Sequence, residues 1–289
     1  EVADKKNQKF YTEKYGVTHP TKPGLKIPQM FEAAINKELK GVWIIGEDIV
    51  QTDPNSAHVV EAMNSLELLV VQEIFMSETA KLATVVLPGT TFLEKDGTFT
   101  NTERRVQRVN RAVPPLPGTK PDGVIVTDMM QKLGFDQPTY DADQVLAEIA
   151  DIVPFFKGIT RERLGKMGLQ WPVKEDGTDT QILHTEEFKL GKGRLKNFDW
   201  KESTEIETNQ KDYPLILTTS RVLQHYNAAT MTRRTSNINI VDEDVLLVHP
   251  KDAANRDLNT GDIGRLYSGR GEVALKVEVT DKVKEGIVF

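Results

Sequence analysis

Short apolar runs alternate with helical patterns over the first 140 residues. Three of these runs have the length and composition of buried strands: GVWII (41–45), LELLVV (66–71) and ATVVLP (83–88). Segments with a helical pattern lie between them at 54–63 and 77–82. Strands that are separated by helices at this spacing predict βαβ units and a parallel sheet.

The residues at the helix ends support these predictions. The helix predicted at 54–63 has Pro54 in its first turn, a position that needs no amide donor. Thr52 or Asp53 is then a suitable N-cap. A later apolar helix is predicted at 124–133, where it ends before a glycine, a residue that commonly terminates helices.

The second half of the chain has a different pattern. Residues 136–212 are more polar and less regular, with one predicted helix at 143–152. Beyond them the pattern is β-rich, with apolar strands at 214–220 and 244–248, a short helix at 250–256 and two strands around the turn 269–271. We therefore predict three parts: a domain at 1–140, a connecting region at 141–210 and a barrel domain at 211–289.

Composition narrows the class of protein. A chain of 289 residues is long enough for two domains. Its net charge of -6 argues against the broad basic surface that nonspecific nucleic-acid binding needs. No apolar run reaches the roughly 18 residues of a membrane span. The first residues lack the apolar core of a signal peptide, which indicates a cytoplasmic protein.

Cysteine is absent and the five histidines are scattered. This excludes a disulfide, iron–sulfur ligation and a cysteine nucleophile within the sequence. There is also no HExxH pair of the kind that binds zinc. The chain alone is therefore poorly equipped for redox chemistry.

The clearest candidate site follows the first predicted strand, at Gly46, Glu47 and Asp48, with Thr52 and a helix N-terminus just beyond. Ligands of open parallel sheets bind at the C-terminal ends of the strands. The helix N-terminus suits a phosphate, and carboxylates can accept hydrogen bonds from ribose hydroxyls or a guanine N–H edge. The pattern favours a nucleotide, although a simple turn with a helix cap has the same residues.

Other polar positions each allow two interpretations. The arginines of 94–111 either bind phosphate or carboxylate groups or form a solvated charged edge: Arg104, Arg105, Arg108 and Arg111. The loop after the strand at 214–220 contains Arg221, His225 and Tyr226. It either wraps a ligand or simply packs the aromatic rings of His225 and Tyr226. Asp122 is either a ligand-binding residue or a helix cap.

Six stretches occur in the order of a known family: IIGEDIVQTDP (44–54), VVQEIFMSETAKLATVVLPGTTFLEKDGTFTNTERRVQR (70–108), GLQWPV (168–173), TTSRVLQHYNAATMTRR (218–234), HPKDAANRDLNTGDIGRLYSGRG (249–271) and VTDKVKEGIVF (279–289). Together they resemble the molybdopterin oxidoreductases, and within them the catalytic (alpha) subunit of formate dehydrogenase. FTNTERRVQR and HYNAATMTRR are more similar to formate dehydrogenase than to nitrate or dimethyl-sulfoxide reductases.

The resemblance implies an α/β fold, with a Rossmann-like parallel-sheet domain at 1–140 and a β-rich barrel of the double-psi type at 211–289 that is truncated at its C-terminus. The implied cofactor is bis-(molybdopterin guanine dinucleotide) with Mo or W, for which this chain would provide a partial site. The residues implied to hold one guanine dinucleotide are Gly46, Glu47, Asp48, Thr52, Glu73 and Asp122. Those implied on the pterin side are Arg221, His225 and Tyr226. No catalytic or metal-ligating residue is expected.

Three positions depart from the family pattern. Glu73 stands where aspartate is common, Gly123 where tryptophan is common, and Asn227 where a second histidine is frequent. The family's cysteine-bound [4Fe–4S] segment is absent, as are its metal-binding cysteine or selenocysteine and the adjacent catalytic histidine. The resemblance thus implies the C-terminal, cofactor-binding portion of the enzyme, which would be inactive by itself.

The parent enzyme implied by the resemblance oxidises formate to CO2. Its electrons would leave through iron–sulfur clusters toward NAD- or hydrogenase-linked subunits. The expected partners are the rest of the alpha subunit, those electron-transfer subunits and formate, with no nucleic acid and no membrane span. Two alternatives stay open: another family member such as a nitrate reductase, and a stand-alone nucleotide- or pterin-binding module.

Overall fold

The computed structural model describes residues 4–188 and 190–289. The chain divides into two compact units. Unit 1 comprises Glu1–Val71 and Ser77–Val86, and unit 2 comprises Gln72–Met76 and Leu87–Phe289. Within the described residues, no helix is both long and apolar enough to cross a membrane.

Helices and strands alternate along the chain. The helices are α1 (Lys5–Tyr15), α2 (Ile27–Ile35), α3 (Ile49–Thr52), α4 (Ser56–Asn64), α5 (Glu78–Lys81), α6 (Asp122–Lys132), α7 (Ala142–Ile152), α8 (Arg161–Leu164), α9 (Thr204–Asn209) and α10 (Pro250–Ala254). The strands are β1 (Gly41–Ile45), β2 (Leu68–Glu73), β3 (Val85–Pro88), β4 (Gly97–Thr100), β5 (Arg105–Val109), β6 (Leu169–Gln170), β7 (Ile216–Leu217), β8 (Val245–Val248), β9 (Ile263–Ser268), β10 (Gly271–Val279) and β11 (Ile287–Val288).

The first sheet is parallel and has the order β1-β2-β3, which confirms the predicted parallel sheet. β1 has the predicted bounds, while β2 and β3 each begin two residues later than predicted. In α4, Val59, Ala62 and Met63 are buried. Their spacing puts them on one face of the helix, which is what an amphipathic helix packed on a sheet requires. They belong to the core of unit 1, which also contains Phe31, Ala34, Ile44, Leu69, Val71 and Ala80.

The start of α4 differs from the prediction. The helix begins at Ser56, and neither Thr52 nor Asp53 caps it, because a turn separates it from α3. The carboxylate of Asp53 accepts a hydrogen bond from the Asn55 amide over 3.0 Å. The Ser56 hydroxyl donates to the Val50 carbonyl over 2.6 Å. These two bonds stabilise the turn, and Thr52 becomes the last residue of α3.

A second sheet, of order β4-β5-β6, belongs to unit 2. The helix predicted at 143–152 is confirmed as α7. Much of the region predicted as a connection packs against β5 in a core formed by Val106, Leu146, Ile159, Leu164 and Val173. The domain boundaries themselves stay a prediction.

The third sheet is mixed and curled, with the order β7-β11-β8-β10-β9. β10 pairs with β8 in parallel and with β9 antiparallel, which confirms the predicted hairpin at the turn 269–271. β7 covers only Ile216–Leu217 of the predicted strand 214–220. The sheet packs on a core of Leu246, Val248, Ala253, Val277 and Val288. The mixed α/β fold is confirmed, and the double-psi connection stays a prediction.

Candidate cofactor-binding site

The loop after β1 is closed by a side-chain hydrogen bond. Gly46 has a φ of 63°, a left-handed conformation that glycine adopts without steric cost. Open space surrounds the position where its Cβ would lie. The Thr52 hydroxyl donates to Glu47 Oε1 over 2.7 Å, and both side chains are exposed. The loop therefore presents a carboxylate to solvent beside the short helix α3.

Asp48 is buried behind that loop and is only 5% exposed. Its Oδ1 accepts hydrogen bonds from the Thr79 amide over 3.0 Å and from the Thr79 hydroxyl over 2.6 Å. Thr79 Oγ1 accepts in turn from the Val50 amide over 3.1 Å. Asp48 Oδ2 is also buried and has no hydrogen-bond partner among the described residues. Since buried acceptors are nearly always paired, this unpaired oxygen is an exception that needs an explanation.

Asp122, at the first position of α6, joins two distant side chains. Its Oδ1 accepts from Gln72 Nε2 over 2.7 Å, and its Oδ2 accepts from Lys95 Nζ over 2.6 Å. Burial raises the pKa of Asp122, but the hydrogen bonds from Lys95 and Gln72 outweigh it and leave the pKa below its ordinary value. The residue is thus held ionised at the positive end of a helix. Its side chain does not act as the N-cap of α6.

Gly89 lies between Asp122 and the end of β2. A Cβ at Gly89 would lie 3.2 Å from Asp122 Oδ1 and 3.8 Å from the Glu73 carbonyl oxygen. The Gly89 amide donates to that carbonyl over 3.0 Å. The Glu73 side chain turns back, and its Oε1 accepts from the Ile74 amide over 2.7 Å. Unit 2 therefore brings the backbone of Glu73 and the carboxylate of Asp122 to one place.

The loop that carries Arg221, His225 and Tyr226 is organised around His225. Its Nε2 lies 2.7 Å from the Val241 carbonyl oxygen, which can only accept, so Nε2 carries the proton. Nδ1 lies 2.9 Å from the Thr232 hydroxyl oxygen, within hydrogen-bond distance. Both ring nitrogens are engaged within the loop, whereas Tyr226 is 72% exposed and Arg221 is also exposed.

This loop is attached to the segment after β2 through Arg234. The Arg234 guanidinium lies 5.0 Å from the centre of the Phe75 ring, a cation–π distance. Its Nη2 also donates to the Met76 carbonyl over 3.4 Å. The contact lies within unit 2, so the loop of Tyr226 is held near the chain that follows Glu73.

Arg104 fits neither interpretation of the arginine cluster. Its guanidinium donates to the main-chain carbonyls of Trp171, Thr180 and Gln181 and lies 5.7 Å from the centre of the Trp171 ring. Its guanidinium is therefore engaged by main-chain carbonyls within the fold. Arg105 and Arg108 instead pair with neighbours along the hairpin, Glu103 and Asn110.

Sequence reasoning missed Gln72, Thr79 and Lys95. Each acts through a contact with a carboxylate that lies far away in sequence. Lys95 lies in the segment EKDG (94–97), where no local pattern indicates that it reaches Asp122. Within residues 4–188 and 190–289, no group of three or more His, Cys, Asp or Glu side chains could hold a metal ion. Unit 1 offers the carboxylates of Glu47 and Asp48 as hydrogen-bond acceptors. Unit 2 offers the carboxylate of Asp122 and the Lys95 ammonium group that is paired with it.

Two family models match the chain. The model described as Molybdopterin oxidoreductase matches residues 6–132, and the one described as Molydopterin dinucleotide binding domain matches residues 215–289. Every predicted site residue lies in one of these two ranges.

Curated relatives and a solved structure agree with these models. The chain is 42% identical over 270 residues to the F420-dependent formate dehydrogenase subunit alpha of Methanocaldococcus jannaschii, covering 92% of this chain and 40% of that protein. It is 38% identical over 291 residues to the F420-dependent formate dehydrogenase 1 subunit alpha of Methanococcus maripaludis, covering 98% of this chain and 42% of that one. Acetylene hydratase from Pelobacter acetylenicus matches in fold, with a TM-score of 0.67 at 20% identity over 90% of this chain and 38% of that one.

Proposed function

The chain belongs to the molybdopterin oxidoreductase family, and from that premise we propose that it binds a molybdopterin guanine dinucleotide. The observation that carries the proposal is Asp48, whose buried Oδ2 has no donor among the described residues. Guanine and ribose present N–H and O–H donors, which suit such an acceptor. The residues present therefore fit the group.

Each unit would contribute its own contacts. In unit 1, Glu47 and Asp48 would accept hydrogen bonds from the nucleotide, with Thr52 orienting Glu47 and Gly46 leaving room for the ligand. In unit 2, Asp122 and Glu73 would also accept hydrogen bonds from the nucleotide.

The remaining unit 2 contacts involve a cation and the barrel loop. Lys95, held by Asp122, would supply positive charge for a phosphate or a carbonyl oxygen. Arg221, His225 and Tyr226 would line the pterin side, and the hydrogen bonds of His225 would also shape their loop.

The cofactor, when bound, supplies the redox chemistry at its metal. The residues of this chain would bind and orient it through the contacts described above. We therefore propose that the chain is the C-terminal portion of a formate dehydrogenase catalytic subunit, inactive by itself. The names of the relatives support formate as the substrate. The chain spans 40% and 42% of their lengths, so the activity belongs to the proposal for the whole protein.

The proposal also covers the metal, the form of the cofactor, the cellular location and the electron-transfer partners of the whole protein. They are Mo or W as the metal, bis-(molybdopterin guanine dinucleotide) as the cofactor, a [4Fe–4S] cluster in a preceding part, a cytoplasmic location and iron–sulfur subunits that pass electrons to an NAD- or hydrogenase-linked acceptor.

The test uses the complete protein that contains this sequence, purified without oxygen from its source. We expect formate to reduce a viologen dye, with one CO2 released for every two electrons. We also expect reduced viologen to stay reduced when nitrate is added. Oxidation of the dye by nitrate, without any formate-dependent reduction, would overturn formate as the substrate.

A further inference from the structure

The ring of Tyr140 lies against the backbone of Gly123, directly beside Asp122. A Cβ at position 123 would lie 2.1 Å from Tyr140 Cε2 and 2.3 Å from Cζ, far inside van der Waals contact. Any larger residue at 123 would therefore displace the ring. Gly123 and Tyr140 form a complementary pair, in which the missing side chain of one leaves space for the ring of the other.

This pair borders an open cleft in unit 2. The cleft has a volume of about 180 Å³, and its wall includes Lys95, Asp122, Gly123 and Tyr140. Among the described residues the Tyr140 hydroxyl makes no hydrogen bond, so it differs from the polar atoms of Asp122, which are engaged. The cleft thus combines an aromatic wall, an ammonium group and a carboxylate.

The environment keeps Tyr140 in its neutral form. Burial raises the pKa of Tyr140 above its ordinary value, and the negative charges of Asp122 and Asp141 raise it further. The phenol is therefore a hydrogen-bond donor over a wide pH range. Because the charge of Asp122 raises the pKa of Tyr140, a titration of the phenol can detect that the two side chains are close.

We propose that Tyr140 is a positioning residue that packs over the first turn of α6 in the space left by Gly123 and holds the Asp122 carboxylate in place for the cofactor. The proposal rests on the proposed function, because it assigns Asp122 to cofactor binding. In this position the ring would limit the rotation of Asp122, so that its two oxygens stay on Gln72 and Lys95. Without the ring, water would reach this network and weaken its hydrogen bonds.

The first experiment measures guanine retention in the complete protein. Guanine nucleotide released by acid is quantified per polypeptide after dialysis of the wild type, Tyr140→Phe and Tyr140→Ala. We expect Tyr140→Phe to keep the wild-type content, because its ring is unchanged. Tyr140→Ala is expected to lose the nucleotide about threefold to tenfold faster, the range for loss of a packed aromatic contact. Equal retention in Tyr140→Ala and the wild type would overturn the proposal.

A steric test separates packing from a general folding defect. Gly123→Ala is expected to lose nucleotide faster because its Cβ meets the ring. Adding Gly123→Trp to Tyr140→Ala provides a new aromatic ring in the vacated space and is expected to restore part of the retention. A double variant that retains less than Tyr140→Ala alone would contradict the complementary pair.

The second readout needs neither activity nor cofactor. Ultraviolet difference titration of the wild type against Tyr140→Phe isolates the Tyr140 phenol, and we expect Asp122→Asn to lower its pKa. An unchanged titration in Asp122→Asn would overturn the proximity that the proposal requires. If the wild type released no guanine nucleotide at all, the proposed function would fail, and this titration would still decide whether Tyr140 packs on Asp122.

Discussion

Lys95 Nζ donates a hydrogen bond to Asp122 Oδ2 over 2.6 Å, which ties the segment before β4 to the first turn of α6. Lys95 is one-quarter exposed and Asp122 is 40% exposed, so the pair lies at the border of solvent. Gln72 approaches the same carboxylate from the end of β2. One ionised side chain therefore connects three separate segments of unit 2.

Replacing Asp122 should affect both stability and cofactor binding. We expect Asp122→Asn to lower the free energy of unfolding by about 1 kcal/mol, a modest value because the pair is partly solvated. Guanine content should fall in the same variant. Urea unfolding and acid release of nucleotide measure the two effects.

Asp128→Asn is the matched control. Asp128 lies on the same helix and pairs with Lys120 over 2.6 Å, outside the Asp122 network. Its guanine content should equal that of the wild type. An Asp122→Asn protein that retained the full guanine content would remove Asp122 from the site.

Removal of the Thr79 hydroxyl should destabilise the protein, because this hydroxyl donates a hydrogen bond to the buried carboxylate of Asp48. Thr79→Val keeps the shape of the side chain but removes the donor that reaches Asp48 Oδ1 over 2.6 Å. A buried carboxylate that loses a donor typically costs about 1–3 kcal/mol, so the urea midpoint should fall clearly. Thr79→Ser, which keeps the hydroxyl, should retain more of the stability than Thr79→Val. The reverse order would show that packing of the methyl group matters more than the hydrogen bond.

Arg104 should tolerate replacement by lysine less well than Arg108 does. Lysine cannot reach several carbonyls in the fork geometry of a guanidinium. We expect Arg104→Lys to destabilise the protein by about 1–3 kcal/mol, as measured by urea unfolding. Arg108→Lys, at an exposed position of β5, should change stability by less than about 0.5 kcal/mol. Equal effects of the two substitutions would contradict the internal role of Arg104.

Glu94 should contribute to the loss of protein stability at acidic pH. Hydrogen bonds from the Thr91 amide, the Leu116 amide and the Thr91 hydroxyl lower the pKa of Glu94 from its ordinary 4.5. A lowered folded-state pKa means that the stabilisation is complete above pH 4.5 and is lost as the pH falls through the lower folded value. Unfolding free energies measured across this acid range should fall less steeply in Glu94→Gln. A Glu94→Gln protein with the same slope as the wild type would contradict this role of Glu94.

The strands and turns with a strong local pattern could be predicted from the sequence alone. β1 and the β9–β10 hairpin follow from runs of apolar residues and a glycine turn, both of which are local signals. The start of α4 could not be predicted, because a side-chain bond from Ser56 to Val50 sets it in place of a standard cap.

The contacts within the site depend on distant pairing. Gln72 and Asp122 are 50 residues apart, and no local pattern indicates that they meet. His225 was ambiguous from sequence because a polar loop suits a ligand and a packed histidine equally well. Its bonds to Thr232 and Val241 reveal a role in shaping the loop. Sequence thus located the loops, while the tertiary fold decided which side chains are engaged in them.

The most direct test of the central proposal is the intact mass of the natural gene product, measured together with its metal and guanine content. We expect a mass well above 32.5 kDa, with Mo or W, iron and guanine nucleotide in the same species. A species of 32.5 kDa that contains neither metal nor guanine would contradict it.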